Sequence, residues 1–377
     1  MYIYSVNMDL NYLNWIKKLD TGLHGRTDIH NLLFSSVSQP TQMIFDHFDQ
    51  FQKLAQEYSD VSNVWGHPLL RQAIAKRYNV SYDQVMPANG ASNAIYLVCR
   101  GLVTSDDHVI VERPFYEPLM ASASFIGAGV SFIERHAPDY QIDPDELQRL
   151  IKPNTKLIIL SNNHNPTGAL LSDDALLEIA RAAKSQNEHI RIVVDEIYHE
   201  FLENIPRPAV TLDDCFITIN SLTKVYGLGM VHCGWIIADP STIEHLYDLH
   251  TIVEGTNSRL ADAFSIYLIE HLNEYHKRTV SHMKANYEIL SQYLQELLDK
   301  EVISGNLPQS GCVYFPKVTG ETNTDTLVQN LAERYQIYLV PGKYFAGPEH
   351  IRIGFGGEPE RLGAALDILA KALTALL

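Results

Sequence analysis

Short runs of apolar, mostly β-branched residues recur through the middle of the chain, and segments with helical spacing separate them. The strand-like runs are HVIVER, KLIILSN, IRIVVDE and CFITIN, which begin at residues 108, 156, 190 and 215. Ser172 precedes DDALLEIARAAKSQN, and a serine N-cap followed by two aspartates suits the positive end of a helix dipole. Strands that alternate with helices in this way predict a parallel sheet in an α/β lobe.

The pattern differs on either side of this centre. PLLRQAIAKRY, at residues 68–78, has helical spacing with Pro68 in its first turn. Residues 262–300 are helical in pattern almost throughout, which is long enough to cover the sheet and continue into another lobe. The tail alternates the strand-like runs GCVYFPKV, QIYLV and HIRIGF with helical stretches, which is typical of a smaller α+β domain.

Composition narrows the class of protein. The 377 residues include 45 acidic and 29 basic side chains, and the resulting net charge of −16 argues against nucleic-acid binding. No window approaches the roughly 18 uninterrupted apolar residues of a membrane span, and the amino-terminal residues lack a signal-peptide pattern. The four cysteines are far apart and form no CxxC, so we expect a cytoplasmic protein without a disulfide framework or a metal site.

Polar residues cluster where the predicted strands end, and open α/β sheets bind ligands at those carboxyl ends. Lys224 follows CFITIN among small hydroxyl residues and glycines, where it can lose its proton, as Schiff-base chemistry with an aldehyde requires. A lone lysine in such a turn is usually a surface residue. Asp195, however, ends another apolar strand, and a buried carboxylate needs a cationic partner such as a protonated pyridine nitrogen, unless it is a helix cap or a structural ion pair.

Further residues suit the other parts of one ligand. The turn at residues 90–92 presents backbone N–H groups at a helix start, which suits a phosphate, and Ser221 adds a hydroxyl donor. Tyr198 and Asn165 can donate to a phenolate oxygen, and Tyr116 can stack on an aromatic ring. Together these residues predict a site for pyridoxal phosphate.

The motifs that contain these residues resemble those of the fold type I, class I and II aminotransferases, the aspartate aminotransferase-like superfamily. GHPLLRQAIA is similar to the family's G-x-P-x-LR-x-AIA helix. The motifs that follow in family order are NGASNAI, ERPFY, NHNPTG, DEIY, SLTKVYGLGMVHCGW, VPGKYF and IRIGF. Each motif is modest by itself, and the resemblance depends on all eight standing in the correct order along most of the chain.

The resemblance implies a role for each matching residue. Lys224 is similar to the lysine that forms the internal aldimine and then moves the proton at the substrate Cα, and Asp195 to the carboxylate that keeps the pyridine nitrogen protonated. The other cofactor-binding residues that it implies are Tyr198 and Asn165 at the phenolic oxygen, Tyr116 against the ring, and Ala91, Ser92 and Ser221 around the phosphate. Arg352, which by itself looks like a residue at a strand edge, is similar to the arginine that clamps the substrate α-carboxylate. The implied activity is transamination between an amino acid and a 2-oxo acid with pyridoxal 5'-phosphate.

The resemblance also implies an architecture. We expect a large cofactor-binding α/β domain over residues 51–270, with a mostly parallel sheet of the seven-stranded type. We expect the smaller α+β domain to comprise residues 1–50 and 271–377. The family further implies a homodimer with shared active sites, in which residues 59–65 and 256–259 reach the neighbouring subunit.

Two positions depart from the family pattern. Eight residues after Lys224, where the family usually has an arginine on the cofactor phosphate, this chain has His232. A histidinium can donate to phosphate but lacks the planar fork and permanent charge of arginine, so we predict weaker or more pH-sensitive cofactor retention. Five residues before Gly66, where many members have a tyrosine, this chain has Val61, and Tyr58 or Trp65 are the candidates to replace it.

Alternative functions remain open at this stage. A β-lyase or a cyclase of the capreomycidine-synthase type would use the same machinery, and the tail VPGKYFAGPEHIRIGFGG resembles that of such cyclases. Two other classes are disfavoured: nothing before residue 50 is long or basic enough for the DNA-binding module of a ligand-sensing regulator, and no GxGxxG follows the early strands as a nicotinamide dehydrogenase would require. The substrate side chain is left undetermined, with Leu32–Gln39 expected to contact it and with Arg26 and Arg259 as candidates for a second carboxylate.

Overall fold

The computed structural model describes residues 10–58 and 65–376, and within them a mixed α/β architecture. Its strands are β1 (His30–Asn31), β2 (Val85–Ala88), β3 (His108–Arg113), β4 (Gly129–His136), β5 (Gln141–Ile142), β6 (Thr155–Ser161), β7 (Arg191–Asp195), β8 (Phe216–Ser221), β9 (Gly234–Ile237), β10 (Ile303–Ser304), β11 (Val313–Tyr314), β12 (Lys317–Val318), β13 (Ile337–Tyr338), β14 (Val340–Pro341) and β15 (Ile351–Gly354). Its α-helices are α1 (Asn11–Leu23), α2 (Thr41–Asp46), α3 (Phe48–Tyr58), α4 (Pro68–Tyr78), α5 (Gly90–Leu102), α6 (Glu117–Ser124), α7 (Pro144–Leu150), α8 (Asp173–Gln186), α9 (Pro240–Val253), α10 (Arg259–Glu270), α11 (Leu272–Asp299), α12 (Asp325–Tyr335) and α13 (Pro359–Leu376). Short 3₁₀ helices lie at Tyr82–Gln84, His199–Phe201, Ala209–Thr211, Gly229–Val231 and Gly342–Phe345.

The large sheet has the strand order β2-β9-β8-β7-β6-β3-β4-β5. Strands β8, β7, β6, β3 and β4 are parallel, whereas β9 runs antiparallel to both of its neighbours. The two-residue strand β5 pairs antiparallel with β4 and adds an eighth strand, in the described residues, to the expected sheet of the seven-stranded type. The mostly parallel sheet predicted from the alternating strand and helix patterns is therefore confirmed.

Apolar residues cover both faces of this sheet. Val109 and Val111 of β3 pack with residues of α5 and α9, whereas Ile110 between them packs on the opposite face with residues of α7 and α8. Successive side chains of a strand point to opposite faces, so a parallel strand between two helical layers has to be apolar at nearly every position. This burial on both sides is the reason that the central strands read as continuous apolar runs in the sequence.

The amino-terminal ends of two helices, α8 and α4, lie where the sequence signals predict them. The Ser172 hydroxyl accepts a hydrogen bond from the Ala175 amide at 3.1 Å, which places the start of α8 after that serine. Pro68 is the first residue of α4, where its missing N–H would have no intrahelical partner. These local signals fix the helix starts that bring the neighbouring loops to the edge of the sheet.

Smaller sheets lie in the carboxyl-terminal part of the chain. Strands β11, β15 and β14 form an antiparallel sheet, and β10 pairs with β12. The amino-terminal strand β1 pairs parallel with β13, so a segment from one end of the chain lies against a segment near the other. The domain boundaries at residues 50/51 and 270/271 stay predictions. Across the described ranges, no helix combines the length and apolar character needed to span a membrane.

Candidate active site

The carboxyl ends of the central strands border one partly enclosed cavity. Seven of the ten residues predicted for the site line it, namely Ala91, Ser92, Tyr116, Asn165, Asp195, Tyr198 and Lys224. The remaining three, Ser221, His232 and Arg352, lie next to residues of the cavity rather than in its lining. The structure thus brings together side chains that the sequence separates by more than 130 positions.

Lys224 lies in the loop that follows β8 and lines this cavity. Its amino group makes no hydrogen bond within the described part of the chain, while its carbonyl accepts from the Val37 amide at 3.1 Å. Burial lowers the pKa of the Lys224 ammonium and Arg352 lowers it further, whereas Cys312 and Asp195 oppose this shift. The amine is therefore neutral in a larger fraction of molecules than an ordinary lysine at the same pH.

Asp195 ends β7 on the same side of the sheet and is 5% exposed. The Ile197 amide donates to its Oδ1 at 3.2 Å, as expected where a strand turns into the next loop. Burial raises the pKa of the Asp195 carboxyl to about 6, although the Ile197 amide and Lys224 act in the opposite direction. A buried carboxylate with so little compensation favours a cationic partner in the cavity.

Arg352, in β15, approaches the cavity from the small antiparallel sheet and is 1% exposed. Its Nη2 donates to the Leu33 carbonyl at 2.6 Å, and its Nη1 lies 3.5 Å from the Asn165 side-chain oxygen. Its guanidinium carbon is 4.8 Å from the centre of the Phe345 ring and 6.0 Å from that of Tyr12. The Arg352 Nε is buried and has no partner among the residues that the structure describes, so the guanidinium retains a donor for an anion.

The amino terminus of α5 forms the other end of the cavity. Gly90 has a φ of +77°, and a Cβ at this position would lie 3.4 Å from Cε1 of His232, which places that ring beside the start of the helix. A Cβ at Gly234 would lie 2.6 Å from the Gly90 carbonyl carbon, so β9 needs glycine there to approach the turn. Ser92 and His232 are exposed, whereas the other end of the cavity is buried.

Two more predicted residues make hydrogen bonds that hold the loops in place. The Ser221 hydroxyl, at the end of β8, accepts from the Thr223 amide at 3.2 Å and so shapes the turn before Lys224. The Tyr198 hydroxyl donates to the Ser35 carbonyl at 3.2 Å, and Ser35 itself lines the cavity. Ser35 belongs to the segment Leu32–Gln39, which the sequence predicts to be near the substrate.

Sequence reasoning missed part of the site. Ser161 lines the cavity, and Glu112 and Arg135 form a buried ion pair behind it. Ser161 and Glu112 stand at or next to the ends of the runs KLIILS and HVIVER, so the same rule of strand carboxyl ends would have found them. Arg135 left no comparable signal, because nothing in the local sequence separates it from a surface arginine.

The other candidates have mixed outcomes. Arg26 pairs with Asp28 at 2.7 Å on the surface, and Arg259 is the first residue of α10 and is exposed. Val61 and the rest of the segment 59–64 lie outside the described residues. Nothing therefore assigns Arg26 or Arg259 to a second substrate carboxylate.

Comparisons with known proteins agree with this geometry. A relative described as capreomycidine synthase, from Streptomyces vinaceus, is 24% identical over 82% of this chain and 79% of its own length. An aspartate aminotransferase of Pyrococcus horikoshii is 27% identical over 82% of this chain and 81% of its own length. The crystal structure of a PLP-dependent aminotransferase from Streptococcus suis, 26% identical, superposes with a TM-score of 0.86 over 96% of this chain and 97% of its own. The family profile described as "Aminotransferase class I and II" matches residues 32–369, and the chain belongs to that family.

Proposed function

We propose that Lys224, facing Asp195 across the cavity, is the catalytic centre of a transamination. As a class I and II aminotransferase, the protein uses pyridoxal 5'-phosphate to move an amino group between an amino acid and a 2-oxo acid. The observation that carries the assignment is that an amine with a lowered pKa and a buried carboxylate line the same enclosed cavity. Schiff-base chemistry requires such an amine, and a protonated pyridine requires such a carboxylate.

The donor set fits this cofactor part by part. Asp195 would pair with the pyridine nitrogen, and the ring of Tyr116 lines the same cavity, where it would stack on the pyridine. Because the Asn165 side-chain oxygen faces Arg352, its NH2 group is left to donate to the phenolic oxygen. The Tyr198 hydroxyl would donate to the same oxygen by turning its proton away from the Ser35 carbonyl. When bound, the cofactor supplies an aldehyde for amine exchange and a ring that withdraws electrons from the substrate Cα.

The phosphate would be held at the amino terminus of α5. Ala91 and Ser92 offer backbone N–H groups at the positive end of the helix dipole, which favours an anion. Ser221 would add its hydroxyl, and His232, which packs against Gly90, would add a donor that is charged only when protonated. This end of the site thus has fewer permanent positive charges than a site with arginine at the position of His232.

Lys224 would have two tasks in the reaction. Its neutral amine would bind the cofactor aldehyde, and once a substrate has displaced it, the same amine would take the proton from the substrate Cα. The lowered pKa of Lys224 favours both tasks because each requires the unprotonated amine. Asp195 would keep the pyridine nitrogen protonated.

Arg352 would orient the substrate. Its guanidinium is held by the Leu33 carbonyl beside two aromatic rings, and its Nε, which has no partner in the described part of the chain, leaves it able to bind the substrate α-carboxylate. The fixed guanidinium would place the substrate Cα within reach of Lys224. Enclosure by Tyr12 and Phe345 keeps water away from this contact and so strengthens it.

We also propose a homodimer in the cytoplasm. Several large apolar side chains are exposed, with Met230 62%, Ile252 83% and Leu260 52% exposed. An interface between subunits would cover such side chains, and their exposure supports the proposal. The four cysteines are free and buried, which suits a reducing compartment. Sedimentation of the purified protein tests the dimer, because a monomer at working concentration would contradict it.

The visible absorption spectrum tests the proposed role of Lys224. We expect added pyridoxal phosphate to give a band that is absent in Lys224→Ala, and we expect suitable amino donors to convert the cofactor to its amine form. Lys184→Ala is the matched control, because Lys184 pairs with Asp213 on the surface, away from the cavity. A band that persists unchanged in Lys224→Ala would contradict the assignment.

A second candidate is elimination or cyclisation of an amino acid. The observation that favours it is the similarity to the capreomycidine synthase of Streptomyces vinaceus over 82% of the chain. The two reactions separate in a single turnover without a 2-oxo acid. Transamination leaves the cofactor as its amine, whereas elimination or cyclisation regenerates the aldehyde and releases ammonia or a cyclic product.

A further inference from the structure

A row of buried polar side chains runs across four neighbouring strands behind the cavity. Arg135 on β4, Glu112 on β3, Ser161 at the end of β6 and Asp195 at the end of β7 follow the strand order of the sheet. They are 2%, 0%, 3% and 5% exposed. A cation, a carboxylate, a hydroxyl and the proposed cofactor-binding carboxylate therefore lie side by side, away from water.

Glu112 connects the ion pair to the rim of the cavity. Its Oε2 lies 3.2 Å from Nη1 of Arg135, and its Oε1 accepts hydrogen bonds from both the amide (2.8 Å) and the hydroxyl of Ser161. Ser161 in turn is the register partner of Asp195, whose carbonyl accepts from the Asn162 amide at 2.9 Å. Ser161 therefore lies between Glu112 and Asp195, the carboxylate of the site.

His164 ties the same carboxylate to the loops that carry the site. Its Nε2 lies 3.5 Å from the Glu112 Oε1 and 2.9 Å from the Pro114 carbonyl, and its Nδ1 lies 2.6 Å from the Thr167 hydroxyl. Burial, and then Arg135, lowers the pKa of His164 well below its usual value, so the ring is neutral. The neutral ring donates through Nε2 to the Pro114 carbonyl and accepts from Thr167, which joins the loop of Tyr116 to that of Asn165.

Two carboxylates buried this close to one another interact. Burial raises the pKa of Glu112 to about 7, Arg135 and the Ser161 hydrogen bonds lower it, and the charge of Asp195 raises it. A like charge disfavours the ionised form of a neighbouring group, so we expect Asp195 to respond in turn to the charge at Glu112. Arg135 lies 3.2 Å from Glu112 and offsets that charge.

We propose that Glu112 and Arg135 are positioning residues that set the electrostatic environment of Asp195 and hold the rim of the cofactor cavity. The inference rests on the proposed roles of Asp195 and Lys224. The other charged or titratable groups that face this row are Lys224 from the loop after β8, Tyr116 from the loop after β3 and His164 from the loop after β6. Removing one member of the pair leaves an unbalanced charge, whereas removing both restores neutrality.

The test is the pH midpoint at which the absorption band of the Lys224-bound cofactor changes form. In Glu112→Gln the side-chain amide oxygen can still accept from Ser161. The positive charge of Arg135 is then unbalanced, and it disfavours the protonated form of the titratable groups near it. We expect the midpoint to fall by about one pH unit, the size of effect of a single charge in a buried site. In the double variant Glu112→Gln/Arg135→Met we expect the midpoint to return to within about a quarter of that shift of the wild-type value.

Glu134→Gln is the matched control. Glu134 pairs with Arg113 on the same two strands, but that pair is partly exposed, so water and salt screen it and we expect no shift. Melting temperatures of the cofactor-free variants report folding separately. If Glu112→Gln does not fold, Arg135→Met carries the test with the opposite sign in the alkaline range, where the unpaired Glu112 is ionised and raises the midpoint.

The outcomes separate this inference from the proposed function. A pair that only cross-links strands would give a double variant as perturbed as the single one, and that result would overturn the inference. An unchanged midpoint in a folded single variant would also overturn the inference. In both cases the band still depends on Lys224, whereas a band independent of Lys224 would overturn the proposed function itself.

Discussion

The two ends of the cavity differ in how far a single chain buries their side chains and provides them with hydrogen-bond partners. At the inner end, formed by Asp195, Tyr198 and Lys224, the carboxylate is 5% exposed, the tyrosine is 1% exposed and both have hydrogen-bond partners in the same chain. At the outer end, formed by the start of α5 with Ser92 and His232, both side chains are exposed.

This difference in burial determines which property of the site each end controls. Strand ends in the middle of a sheet are surrounded by protein, so burial itself shifts the pKa of Asp195 and Lys224. A helix terminus at the edge of the fold offers backbone N–H groups and a dipole but little burial, and such contacts are screened by water. We therefore expect substitutions at the inner end to affect chemistry and those at the outer end to affect cofactor retention.

The largest effect is expected for Lys224→Ala. Loss of the group that moves the Cα proton should lower kcat by about 10²–10⁴-fold, the range that general acid–base catalysis contributes. The measurement is kcat at saturating cofactor with the best donor of the amino-acid panel. Activity close to that of Lys184→Ala would show that the inner end does not carry the chemistry.

The next effect is expected for Asp195→Asn, which removes charge from the inner end with little change in shape. We expect kcat to fall by about 10²-fold, as for loss of one preorganised electrostatic contact. The wild-type affinity for the cofactor should also fall as the pH is lowered through about 6, because a protonated Asp195 cannot pair with a pyridinium. Cofactor titrations against pH test this, and Asp195→Asn should flatten the dependence in that range. An Asn variant with the wild-type pH dependence would place the titrating group elsewhere.

Arg352→Lys tests the substrate side of the inner end. Lysine keeps the charge but lacks the planar fork, and a hydrogen bond to a charged group contributes about 1.5–3 kcal/mol. We expect kcat/KM to fall about 10–100-fold with most of the change in KM, while cofactor affinity stays the same. Steady-state kinetics with titrated cofactor separate these values. A change mainly in cofactor affinity would show that Arg352 contacts the cofactor rather than the substrate.

The smallest effect is expected at the outer end, for His232→Arg. A permanent charge beside the phosphate should tighten cofactor binding by a few-fold, roughly 1 kcal/mol, and more at alkaline than at acidic pH, because arginine keeps its charge there. Equilibrium dialysis at acidic and alkaline pH gives the two affinities. His189→Arg is the control, because His189 is exposed on the loop before β7. Equal tightening in both variants would indicate general charge attraction rather than a phosphate contact.

Much of the fold was predictable because it depends on local sequence. The runs beginning at residues 108, 156, 190 and 215 became β3, β6, β7 and β8 within one residue at either end. The parallel arrangement followed from the helices between them. The strand β5 was not predicted, and the single run GCVYFPKV became two separate strands, β11 and β12, because two-residue strands depend on the partner that their neighbours provide.

The candidate site was predictable where a motif marks it and less so elsewhere. Lys224, Asp195 and Asn165 stand at strand ends in recognisable motifs, and the cavity has them in its lining. Arg352 required the family resemblance, because a single arginine in a short strand has no distinctive pattern. Arg135 was missed, since only pairing with Glu112 on the adjacent strand makes it different from a surface arginine.

The sequence by itself determined the elements and the order of the motifs, because helix caps, apolar periodicity and loop composition act over a few residues. The tertiary structure decided which side chains are buried and which charges face one another. Burial raises the pKa of Asp195 and lowers that of Lys224 only after β7, β8 and the amino-terminal segment have packed around one cavity. Electrostatic effects depend on distance and on exclusion of water, and neither is a local property of the chain.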